Sequence, residues 1–189
     1  MTRRYSLIAL ATAVIAAVGT VSAIAQTAIG PLLYDSKGSV VAPANYRDWV
    51  FLSSGLDMTY SNPPPEGQHQ FDNVFVDPAA FKGFQKTGQW PDKTVMVLEV
   101  RHAAQNVSIN KAGYIQADIA GVQLHVKDNA KGGWAFYSVG ANGQTSRFPD
   151  KSSCRACHES SGSVDGTFIQ FYPTLIDAAK KAGTYKEGK

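Results

Sequence analysis

The sequence predicts an α+β fold: an antiparallel sheet of about five strands with two or three helices. Two observations carry this. Short aromatic and β-branched runs recur at hairpin-like spacing, at residues 71–76, 94–101, 114–127 and 133–139. Proline also opens, and glycine closes, two helical patterns, at Pro78 to Gly88 and Pro173 to Gly183.

In chain order, residues 1–25 read as a secretory signal. Arg3 and Arg4 form a positive start, residues 7–18 an apolar stretch, and Ala23-Ile24-Ala25 a cleavage site. The alternative is an uncleaved anchor, since the apolar run is near the lower limit for a membrane span. The mature chain, 26–189, suits one domain with a single core. Loss of Arg3 and Arg4 takes its formal charge from +3 to +1, which argues against nucleic acid as a partner. Export predicts a periplasmic protein.

Residues 27–44 are a mixed lead-in, with Pro31 and Pro43 restricting helix. Residues 46–53 (YRDWVFLS) read as a strand or as a short helix running into one. Residues 54–70 are a loop, held extended at Pro63-Pro64-Pro65. Residues 71–76 alternate as a strand. Asp77-Pro78 then opens a helix, the Asp capping free N–H groups and the Pro needing no donor. Phe81 and Phe84 fall on its apolar face and Gly88 stops it. The clearest strand is 94–101, with Val95, Val97 and Glu99 on one face and Met96, Leu98 and Val100 on the other. The strand over 114–127 has a bend predicted at Gly121. A further strand spans 133–139, a polar loop 140–153, and a helix begins at Pro173.

The remaining stretch, Cys154-Arg155-Ala156-Cys157-His158, holds both cysteines of the chain. C-x-x-C-H reads as the attachment site of one covalent haem c. Two thiols add across the porphyrin vinyl groups, and the histidine that follows can bind the iron through an imidazole nitrogen. A disulfide is the plainer alternative in an oxidising compartment. Zinc would want four ligands, and no second cysteine pair exists. A sixth iron ligand for electron transfer would come from Met58, Met96, His69, His102 or His125, but Met96 among Val and Leu reads as core.

Several stretches together, Asn45 to Val50 (NYRDWV), Val76-Asp77-Pro78, Lys86-Thr87-Gly88, Trp134 to Tyr137 (WAFY), the C-x-x-C-H motif and Phe171-Tyr172-Pro173, resemble the cytochrome P-460 family. The resemblance runs in order over nearly the whole mature chain. It implies an antiparallel sheet domain carrying one haem c, usually as a homodimer, with a vacant or water-filled ligand side opposite His158. One branch of the family bonds a strand lysine to the porphyrin and oxidises hydroxylamine. The other, cytochrome c′-beta, lacks that crosslink and binds nitric oxide and other small gases behind an apolar cap. By this resemblance Leu98 stands at the crosslinking lysine, where it has no nucleophilic atom, and Gln123 stands at a proton-accepting glutamate, where an amide cannot take a proton. Lys93, five residues before Leu98, falls on the opposite side of the strand. Phe71, Phe75, Phe81 and Phe84 are candidates for the cap, Phe71 first, each with ordinary core packing as its alternative.

The sequence therefore points to a periplasmic haem c protein with His158 as proximal ligand. Cys154 and Cys157 are its thioether positions, and Leu98, Phe71 and Gln123 line its ligand pocket. The expected partner is nitric oxide or a similar small gas, with weak peroxidase activity as an accompaniment; no redox partner can be named. A hydroxylamine-oxidising cytochrome P-460 is the second reading, and an electron-transfer cytochrome c the third.

Overall fold

Six strands follow one another across a single antiparallel sheet in the order β1-β2-β3-β4-β5-β6. They are β1 (Val50–Leu56), β2 (Gln70–Val76), β3 (Val95–Ala104), β4 (Ile115–Asp128), β5 (Gly133–Val139) and β6 (Thr145–Arg147). Helix α1 (Pro78–Thr87) lies between β2 and β3, and α2 (Ser153–Ser161) and α3 (Pro173–Lys181) follow the sheet. This computed structural model describes residues 32–58 and 69–189. The leader over 1–25 and the Pro63-Pro64-Pro65 stretch lie outside the described residues.

Alternation along β3 divides the sheet into two faces. Val95, Val97 and Glu99 are buried on one side, against Val40, Tyr46 and Trp49 of the segment that precedes β1. Met96 is buried on the other side, with Val76 and Leu52, under Phe84 of α1 and Leu175 and Ala179 of α3. The sheet is thus covered by an extended lead-in on one face and by helices on the other. The helices cover only part of their face. Val76 and Met96 are under them, whereas Leu98, Val100 and Gln123, further along the same face, are only half-buried.

The helix signals hold. The Asp77 carboxylate accepts from the Ala80 amide at 2.8 Å, Pro78 opens α1, and Gly88 closes it at φ 66°. The β3–β4 register slips between Val100, paired with Gly121, and Arg101, paired with Ile119, so the bend in β4 is a bulge. Residues 46–53 resolve into a 3-10 turn at Tyr46–Asp48 followed by β1. The expected count of about five strands becomes six because β6 lies within the stretch expected to be polar loop. With three residues, β6 is too short for alternation to show. A turn at Gly140 to Gln144 folds it back onto β5, the Gly140 amide donating to the Gln144 carbonyl at 2.8 Å.

Candidate haem-binding site

Helix α2 carries the two thiols and the imidazole. Cys154 and Cys157 are one turn apart, so they share a helix face, and both thiols are free. The alternative disulfide is not formed. Among the described residues no three or more His, Cys, Asp and Glu side chains cluster as a metal site.

His158 is held from two directions. Its ring packs on the sheet against His125 of β4 and Phe136 of β5, with centroids 4.4 and 4.8 Å away, and against Phe168 at 4.4 Å. Its Nδ1 lies 2.8 Å from the Gly166 carbonyl. A carbonyl only accepts, so Nδ1 carries the hydrogen and donates it, and the lone pair of the neutral ring sits on Nε2. Burial pushes the His158 pKa down, and the bond to Gly166 opposes this only in part. The neutral form, the one that binds iron, is favoured. An imidazole fixed through its second nitrogen by a backbone carbonyl is the arrangement expected of a metal-ligating histidine.

The loop that supplies the carbonyl is specified by glycine. Gly166 has φ 67°, a conformation that side chains disfavour, and a Val164–Thr167 bridge closes the turn around it. Arg155, between the two cysteines, ties α2 to the sheet, its Nη1 donating to the Trp134 carbonyl at 3.2 Å, while its Nε donates to Glu159 of the same helix at 2.7 Å. A cavity of about 400 Å³ opens here, lined among others by Trp134, Phe136, Arg155, His158 and Gly166.

The register places the other candidates. His125 faces Met96 across β3 and Phe136 across β5. One row further along the same face, Leu98 stands directly opposite Gln123, with Val74 and Ser138 on the flanking strands. Leu98, Gln123, His125 and His158 therefore belong to one side of the sheet. Phe71 does not join them. It pairs with Arg101, so the alternation of β2 sends it to the opposite face. Phe75 shares that opposite face, edge-on to Tyr46 and Phe51 at 5.6 Å. Phe84 is fully buried beside Trp90, and Phe81 packs on the same helix core.

Of the proposed sixth ligands, Met96 and His69 are engaged elsewhere and Met58 is exposed. Met96 is 2% exposed in the core. His69 binds Asp57 at 2.6 Å and stacks on Tyr114, and His102 pairs with Gln70 near the end of β3. His125 meets His158 edge to face. In direct contact with His158, the His125 ring would share its side of a bound haem rather than hold the iron from the other side. Burial, with the neighbouring His158, holds His125 well below the usual imidazole range. Sequence reasoning missed the Gly166 carbonyl, for which no local signal exists, and Phe168. It also missed Phe136, whose place opposite His125 on alternating strands was available.

The free thiols one helical turn apart, followed by an imidazole with its Nε2 uncommitted, fit a haem c. Cytochrome P-460 is the family whose pattern matches the chain, over residues 43–169, more than half its length. No curated protein matches the chain.

Proposed function

The chain belongs to the cytochrome P-460 family, which implies a haem cofactor, and from that premise we propose a periplasmic mono-haem c protein that binds nitric oxide or a similar small gas. Cys154 and Cys157 would hold the haem by thioether bonds and His158 Nε2 would be its proximal ligand. When bound, the haem supplies an iron centre able to take a diatomic ligand and to exchange an electron. The chain's own residues do the rest. The Gly166 carbonyl fixes the His158 tautomer, while His125, Phe136 and Phe168 stop the ring from turning.

The observation that carries the reading is the Leu98–Gln123 pair on the face where His158 packs. Neither side chain offers an amine for a crosslink or a carboxylate to accept a proton. Of the lysines on or beside the sheet, Lys127 binds the Trp90 carbonyl at 2.8 Å and Asp165 at 2.7 Å, and Lys93 binds Asp128; Lys186 lines the cavity from the segment after α3. This supports the c′-beta branch over the hydroxylamine-oxidising one.

Absorption spectra of the purified ferrous protein, with and without nitric oxide, test the proposal. A five-coordinate spectrum that changes on adding the gas is expected; a six-coordinate low-spin spectrum that ignores both nitric oxide and carbon monoxide would remove it. Hydroxylamine with an electron acceptor is expected to give no turnover, and turnover would select the enzyme reading instead.

A further inference from the structure

Beyond Leu98, as seen from His158, the next row of the sheet face carries a carboxylate. Asp72 of β2 pairs with Val100 of β3, and Val100 pairs with Gly121 of β4. This row lies two steps past the row of Met96 and His125. Measured along β3 it is about 13 Å from it, at roughly 3.3 Å per residue. Residues two apart on a strand share a face, so Asp72, Val74, Leu98 and Gln123 line one surface. Diagonal neighbours across a strand pair are within reach of each other's side chains, which brings Asp72 to Leu98.

Two features set this carboxylate apart. Among the described residues it makes no hydrogen bond and no ion pair, although it is half-buried. Most carboxylates with that little access to water have a partner. The row it belongs to is open at its β4 end, where a Cβ built on Gly121 would meet no described atom within 4 Å. Asp72 therefore lies in the same row as this open position, on the side of Leu98 away from His158.

We propose that Asp72 is the proton-carrying group of the ligand side of this pocket, donating a hydrogen bond from its protonated carboxyl to a bound gas and withdrawing it on ionisation. Gln123 cannot fill this role, because an amide does not exchange a proton near neutral pH. Burial, with the Asp57 carboxylate nearby, pushes Asp72 above the usual carboxylate range, so the donor form persists to higher pH than for an exposed aspartate. Other titratable groups on the neighbouring strands of this face are Asp57 with His69, which bind each other, and His102 at the end of β3. The proposal rests on the open-site reading above.

The experiment uses ferrous holoprotein under carbon monoxide and follows the C–O stretching band between pH 5 and 9. In the wild type the band is expected to move to higher frequency as pH rises, as the donor is lost. In Asp72→Asn it should stay at the low-frequency position, because the amide N–H still donates; in Asp72→Leu it should stay at the high one. A wild-type band that does not move, or a pH shift that survives in Asp72→Leu, would overturn the assignment while leaving the open site intact. Failure to bind carbon monoxide at all would overturn the open-site reading, and the role of Asp72 with it.

Discussion

A methyl group added at Gly162 would stand 2.6 Å from the Gly166 carbonyl carbon and 2.7 Å from the Thr167 amide nitrogen and the His158 carbonyl oxygen. All three are backbone atoms, so nothing can rotate aside. Gly162→Ala must displace the turn that offers the Gly166 carbonyl to His158. Overpacking of this kind costs about 1–3 kcal/mol. The variant is expected to melt several degrees lower, and its ferric haem spectrum and reduction potential should shift, because an imidazole that loses its Nδ1 partner is a weaker donor. A variant that lost stability with an unchanged potential would show that Gly166 does not tune the ligand. At this scale the site was half legible. Cys154, Cys157 and His158 follow from a local motif whose spacing is itself the chemistry. Gly166 acts through a backbone carbonyl, which leaves no trace in residue type. Phe71 reads the same from sequence whichever face it takes, and only its pairing with Arg101 decides.

Helix α1 shows how few residues fix an element. The Asp77 carboxylate caps its start through the Ala80 amide at 2.8 Å and reaches the Val95 amide at 3.3 Å, so one side chain joins the helix to β3. Asp77→Ala removes both bonds, and loss of such a cap costs about 1–2 kcal/mol. Chemical denaturation should show that loss with the sheet's circular dichroism retained. Asp77→Asn, which keeps an acceptor oxygen, should recover most of it. An alanine variant as stable as the parent would mean that Pro78 and burial of Phe84 alone place the helix. The boundaries of α1 and the start of α3 were legible because Asp-Pro, Pro and Gly are local signals. Helix α2 was not, since its sequence, SCRACHESS, has no apolar stripe of its own and Arg155 ties it to β5 through the Trp134 carbonyl. The strands β3, β4 and β5 were legible through their alternation. The three-residue β6 lacked the length for any pattern.

Across the whole molecule, the sheet separates two functions by face. Glu99 is buried on the side of the lead-in segment, where Tyr46, Arg47 and Arg101 donate to it. Its backbone neighbour Leu98 points to the opposite side, the face on which His158 packs. The charged lock that holds the lead-in on the sheet is therefore insulated from the pocket by one strand, and it can be titrated without touching the site. Burial raises the Glu99 pKa, but hydrogen bonds from Arg101, Tyr46 and Arg47 outweigh burial and hold it below its usual range. The carboxylate thus stays ionised at neutral and alkaline pH. Tyr46 is pushed up to about 12 by burial first and then by its bond to Glu99. An unfolded tyrosine ionises near pH 10. Between those values the native state keeps a proton that the unfolded chain releases, so stability falls as pH rises from about 10 to about 12. Tyr34 and Tyr137 are raised as well, so part of that slope belongs to them. Tyr46→Phe should cost about 1–3 kcal/mol at neutral pH, because Glu99 loses a donor where little water can replace it. The same variant should lose measurably less stability than the wild type between pH 9 and pH 11. Urea midpoints at the two pH values read both effects, and equal alkaline losses in the two proteins would show that the lock at Glu99 does not set the alkaline limit.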